Sequence, residues 1–141
     1  MTTFDKTAAS ELLKSAPAPW VQDLDLSIEN LTADGAVLRM RFSDKLCRDN
    51  GVICGQALMS FADTAMIIAV ASAAGGYFPM TTVDQTIHFM RPAMRADVLA
   101  DARVVRMGKT MAYGSISIRT DNDERPVAMA QTAYALLRDA K

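Results

Sequence analysis

NGVICGQALMSFADTAMIIAVASAAGG, residues 50–76, decides how this chain is read. It opens in turn chemistry at Asn50 and Gly51, continues as an apolar run rich in Ala and Met, and closes on a Gly pair that can stop a helix. Leu58, Phe61, Ala62, Ala65, Met66, Ala69 and Val70 recur at three-and-four spacing, the period of one helical face. Met59, Ile67 and Ile68 carry the apolar surface nearly all the way round. The spacing predicts a helix over 55–74 that is buried on most sides. A single carboxylate, Asp63, sits in its middle. An acid there is costly to bury unless it is partnered or used, so Asp63 is the first candidate functional residue.

On either side of this run the period falls to two. Upstream, residues 24–31 and 36–42 alternate about a turn at Ala33, Asp34 and Gly35, the pattern of an antiparallel hairpin. Leu38, Met40 and Phe42 share one face, Val37, Arg39 and Arg41 the other. Downstream come four strand-like segments, 81–90, 97–107, 110–120 and 127–137, joined by short turns. In the first of them Thr82, Asp84 and Thr86 have the parity of His88, which reads as a packed or hydrogen-bonded strand residue. Residues 5–15 place Ala8, Leu12 and Leu13 on one side of a short helix ended by Pro17 and Pro19, so residues 1–20 read as a peripheral cover. The order is short helix, two strands, long helix, four strands, without repeat or linker. It implies one α+β domain over 1–141, with a curved antiparallel sheet of about six strands wrapped round the long helix.

Fifteen basic against sixteen acidic residues leave a net charge of −1, with a pI near 5.7. That balance gives no electrostatic case for a nucleic acid partner. Cys47 and Cys54, with one His in the chain, make no zinc set of four ligands, and no metal is expected. No secreted disulfide framework is recognisable, and the N-terminal residues lack a signal-like apolar segment, so a cytoplasmic protein with reduced thiols is expected. The longest apolar stretch, residues 65–74, falls short of the ~20 residues of a membrane-spanning helix, and no membrane partner is expected. The 50% hydrophobic content hints at a buried subunit interface.

GVICGQALMSFADTAM at 51–66 resembles the GxxHGG motif, with an Asp eight residues on in an L-A-D-x-A context, of the hotdog-fold thioesterases. Within them it is similar to the phenylacetate-degradation (PaaI-like) acyl-CoA thioesterases. TTVDQTIHFMRPA at 81–93 resembles that family's strand leading into an F-x-R-P corner, and VVRMGKT at 104–110 its V-x-x-x-G-[KR] turn. The resemblance covers nearly the whole chain after residue 20. Gly55 and Asp63 match the family motif directly. Cys54 stands where the family has His, Gln56 where it has a second Gly, and Arg48 where it has an Asn, with Asn50 close by. The resemblance implies the hotdog fold and hydrolysis of an acyl-CoA to free acid and CoA, with no cofactor beyond the coenzyme A of the substrate. It also implies a homodimer joined sheet edge to sheet edge, in some members a dimer of dimers.

Thioester hydrolysis needs an activated nucleophile and a place for negative charge on the carbonyl oxygen. Gly55 opens the predicted helix, so its free N–H, backed by the helix dipole, is a candidate oxyanion donor, and its missing side chain admits the acyl carbon. Asp63 is a candidate general base for water, or a nucleophile forming an anhydride; both stay open. Eight helical residues span ~12 Å, too far for one helix to present both groups to one carbonyl. The resemblance implies that Asp63 serves a thioester held by Gly55 of the other subunit.

Cys54, Gln56, Thr64, Arg48 and Asn50 are the candidate substrate-binding residues. Cys54 is either a thiol beside the acyl group or a small buried hydrophobe. Gln56 either reaches substrate through its amide or is solvated, and Thr64 either orients water or bonds its own backbone. Arg91, Arg95, Arg103, Arg106 and Lys109 are candidates for the coenzyme A phosphates or ordinary turn charges. Two other readings compete: a non-catalytic acyl-CoA-binding hotdog domain, and a hotdog enoyl-CoA hydratase. The hydratase's D-x-N-x-x-H arrangement is absent, since His88 follows Asp84 by four residues.

Overall fold

A computed structural model describes residues 4–138. The chain runs α1 (Lys6–Ser15), α2 (Pro19–Gln22), β1 (Leu26–Thr32), β2 (Gly35–Met40), α3 (Gly55–Ala74), β3 (Met80–Phe89), β4 (Val98–Met107), β5 (Met111–Thr120) and β6 (Ala128–Leu136). The strands form one antiparallel six-stranded sheet in the order β1-β2-β4-β5-β6-β3, curved round α3, which is the hotdog fold. The long helix keeps its expected bounds, and every strand end lies within two residues of the expected one. The single domain expected over 1–141 includes residues 1–3 and 139–141, which lie outside the described residues.

Helix α3 forms the core. Phe61, Ala62, Ala65, Met66, Ala69 and Val70 have no solvent exposure, and the run of alanines lets β2, β4 and β5 approach its backbone. Gly75 ends it in the left-handed region at φ 81°, with the Gly76 N–H donating to the Ala71 carbonyl at 2.9 Å. At 20 residues and a mean hydropathy of 1.7 the helix is long and apolar enough to cross a membrane, which corrects the shorter reading of 65–74. Its enclosure by the sheet makes it a core helix instead.

Two local departures have physical causes. Pro17 follows the end of α1 as expected, but Pro19 opens α2, because a missing N–H and a fixed φ suit the first helical position. In β3 a bulge between Thr82 and Asp84 shifts the register against β6. Thr82, Gln85 and Ile87 are therefore half-buried, while Asp84, Thr86 and His88 face solvent. Thr82 is thereby separated from the residues whose parity it was expected to share, and the expectation of a packed His88 is overturned.

Gly114 in β5 faces α3 so closely that an added Cβ would overlap the Met66 thioether and come within 2.9 Å of the Arg103 carbonyl oxygen. Met66 is fully buried, and the Arg103 carbonyl is backbone that cannot swing aside. Gly114→Ala is expected to lower stability by about 1–3 kcal/mol, read as a fall in the urea midpoint.

At the other end of the sheet Arg39 binds three acids: Glu29 at 2.8 Å, Asp97 at 2.9 Å and Asp121 at 3.0 Å. Asp97 also accepts the Phe42 N–H at 2.7 Å. That backbone donor first, and Arg39 second, hold the Asp97 carboxyl below the usual carboxylate range. A depressed folded-state value means a contribution fully present above the unfolded value of about 3.9 and lost as pH falls through the folded one. Asp97→Asn is expected to destabilise by about 1 kcal/mol at neutral pH, the half-exposed setting limiting the effect. The gap between wild type and variant should close below about pH 4 in melts run across pH.

Candidate functional site

The register of β6 against β3 builds the carboxylate half of the site. Thr82 and Tyr134 are direct cross-strand partners, and both turn toward the middle of α3. The Thr82 hydroxyl donates to Asp63 Oδ1 at 2.8 Å. The Tyr134 hydroxyl donates to the same oxygen and to the Asp63 backbone carbonyl, the latter at 2.8 Å. Tyr134 is fully buried. Burial first, and the neighbouring Asp63 charge second, push its phenol far above its ordinary range, so it remains a donor. Asp63 itself is half-buried. Among the described residues no hydrogen bond reaches its Oδ2 and no cation pairs with it. The result is a carboxylate clamped through one oxygen, with the other unclaimed.

The amide half lies at the start of α3. Cys54 is the residue before the helix, and its side chain makes no capping bond. Among the described residues nothing accepts from the N–H groups of Gly55, Gln56 and Ala57, which leaves three donors at the positive end of the helix dipole. Of the three residues, Gly55 lines a cleft of about 490 Å³, together with Arg48, Ile53, Leu58, Phe89 and Arg91, among others. A Cβ at Gly55 would sit 3.2 Å from the Phe89 ring, so the missing side chain keeps the space between amide and ring open. The two halves lie eight residues apart on one helix and face different surroundings.

The other candidate residues fall on different sides of this arrangement. Arg48 is exposed and lines the Gly55 cleft. Asn50 is exposed too, and at φ 62° it makes the left-handed turn into Gly51, a conformation Asn tolerates. Cys54 is half-buried with a free thiol, its N–H bound to the Leu46 carbonyl at 2.9 Å. Gln56 is exposed on the first turn. Thr64 is buried and donates to the Ser60 carbonyl at 2.8 Å, its own helix backbone, on the side facing α1. Of the basic residues, Arg91 lines the cleft, Arg95 packs on Gly51, and Arg103 pairs with Asp101. Among the described residues no His, Cys, Asp and Glu cluster is arranged to hold a metal ion.

Thr82 and Tyr134 were not singled out from the sequence. The available signal was slight: on β6, Tyr134 shares its inward parity with Ala128, Ala130, Thr132 and Leu136, a bulky polar-tipped residue in a row of mostly small ones.

A sequence profile described as the thioesterase superfamily matches residues 50–127, from the loop before α3 to the residue before β6, leaving the elements from α1 to β2 and β6 outside. The chain is 31% identical to a candidate esterase of Halobacterium salinarum, over 99% of both chains. A solved candidate thioesterase from Silicibacter sp. TM1040 is 27% identical and superposes with a TM-score of 0.84 over 96% of this chain and 94% of that one. A thioesterase from Haemophilus influenzae, 18% identical, superposes with a TM-score of 0.86 over 99% of this chain and 95% of that one, a likeness of fold.

Proposed function

Because this chain belongs to the thioesterase superfamily, we propose that it is a hydrolase that cleaves an acyl-CoA thioester to free acid and coenzyme A. The observation that carries the reading is Asp63. It is a half-buried acid with no cation partner among the described residues, clamped through Oδ1 by Thr82 and Tyr134 and unclaimed at Oδ2. An acid serving only to hold charge would be expected to face a cation; this one faces two hydroxyl donors.

In one route Oδ2 takes a proton from water as the water oxygen adds to the thioester carbon, and the carbonyl oxygen gathers negative charge. The tetrahedral adduct collapses by breaking the carbon–sulfur bond, and the departing thiolate takes up the proton. In the other route Oδ2 adds to the carbon directly and expels the thiolate, leaving a mixed anhydride that water hydrolyses. Both routes need donors at the carbonyl oxygen, the part we assign to the free amides at Gly55.

The separation of the two halves favours a site completed between subunits, with Gly55 of one facing Asp63 of the other. β3 supports the same arrangement. It pairs only with β6 among the described residues, leaving a ten-residue edge open beside exposed Val83, Phe89 and Met90. Arg48 and Arg91 at the cleft suit the coenzyme A phosphates, and the unpaired Cys47 and Cys54 suit a reducing cytoplasm.

The test is release of free thiol from a panel of acetyl-, hexanoyl-, dodecanoyl- and phenylacetyl-CoA. Turnover that depends on Asp63 supports the proposal. Tight binding of the esters with no thiol release overturns it in favour of an acyl-CoA-binding domain.

A further inference from the structure

Further along α3 from the clamped carboxylate, α3 and the N-terminal helix flank a chamber of about 160 Å³, walled by Leu12, Leu13, Thr64, Ile67, Ile68 and Met80, among others. Its position follows from the elements that hold Asp63. Ile67 stands one helical turn beyond Asp63 on α3, and Met80 lies two residues before Thr82 on β3. The two elements that carry the acid and one of its donors therefore continue directly into the walls of the chamber. We propose that this chamber is the acyl subsite and restricts the substrate to a single ring or a chain of about six carbons, given that an apolar cavity of ~150 Å³ accommodates benzene. The inference rests on the thioesterase reading of Asp63.

The upper limit comes from what lies past the chamber. A recess of about 380 Å³ shares Leu13, Pro17 and Thr64 with it, and is bounded further by Val21 and Leu26 together with Lys14, Gln22 and Asp25. A longer chain would have to displace Leu13, itself buried, before it reached that mixed lining. Each methylene that stays in apolar surroundings is worth about fourfold in affinity, so the chamber should favour chains that fill it and stop rewarding those that outgrow it. Its roof, α1, lies upstream of the segment shared with the family, while Ile67, Ile68 and Met80 lie within it.

The test uses Asp63→Asn protein as a non-hydrolysing binder, titrated calorimetrically with acetyl-, hexanoyl- and dodecanoyl-CoA. Hexanoyl-CoA should bind at least about tenfold more tightly than acetyl-CoA, with dodecanoyl-CoA no tighter than hexanoyl-CoA. Adding Ile67→Phe should abolish the hexanoyl preference while leaving acetyl-CoA within about threefold, so acetyl-CoA binding reports the intact fold. Leu13→Ala, which removes the partition, should let dodecanoyl-CoA gain on hexanoyl-CoA. No binding of any ester, equal weakening of all three by Ile67→Phe, or affinity rising steadily to dodecanoyl-CoA would overturn the subsite. The two readings fail separately. Esters sorted by length without thiol release from wild type would sink the thioesterase reading alone, and thiol release indifferent to acyl size would sink the subsite alone.

Discussion

Asp63→Asn is expected to lower kcat for thioester hydrolysis by about a thousandfold while leaving the melting temperature within about 3 °C of wild type. The amide keeps the shape of the carboxylate, and its oxygen can still accept from Thr82 and Tyr134, so the link between α3 and the β3–β6 edge survives. What is lost is the anionic oxygen at Oδ2, which serves as proton acceptor in one route and as nucleophile in the other. The alternative is that Asp63 only ties the helix to the sheet. In that case the substitution would cost stability and spare turnover, the reverse pattern. Thiol release and a thermal melt on the same preparation separate the two, and turnover within tenfold of wild type would remove Asp63 from the mechanism.

Asp63 and Gly55 were legible in the sequence because their signal is local. An acid interrupting a 3.6-period apolar run, and a Gly where that run begins, are visible without knowing what packs around them. The fold was legible for a related reason: one helix apolar on nearly every side needs a sheet curled about it, and the alternating segments supply the strands. The partners of Asp63 were not legible. Tyr134 lies 71 residues away, beyond the segment that the family shares, and only the β3–β6 pairing brings it to the acid. Thr82 was placed on the wrong set of neighbours by a bulge, an event that period-two parity cannot register because a single inserted residue reverses every face beyond it. Strand order was hidden likewise. β3 and β4 follow each other in the chain yet stand apart in the sheet, so the short link between them gives no hint that β3 becomes an edge strand, opposite β1.

Tyr134→Phe isolates the donor that the sequence did not disclose. Phenylalanine fills the same buried volume, so the core loses no packing, but the Asp63 backbone carbonyl loses a 2.8 Å hydrogen bond and Oδ1 is left to Thr82 alone. A stability loss of about 1 kcal/mol is expected from the lost hydroxyl donor, since Oδ1 keeps Thr82. The larger effect should fall on rate. A carboxylate held through both hydroxyls presents Oδ2 in one direction, whereas one held through Thr82 alone can turn about its own bond, and misplacement on that scale costs about 10- to 100-fold in kcat. Tyr134 is thus a positioning residue, acting through Asp63, and KM should stay within about twofold. A merely structural tyrosine would lower the melting temperature without this split. The decisive comparison is a double-mutant cycle: if Tyr134 acts through the carboxylate, adding Tyr134→Phe to Asp63→Asn should leave the residual rate nearly unchanged, because the group being aimed is already gone. A second, independent loss in that background would show that Tyr134 supports the site by some route other than the acid it touches.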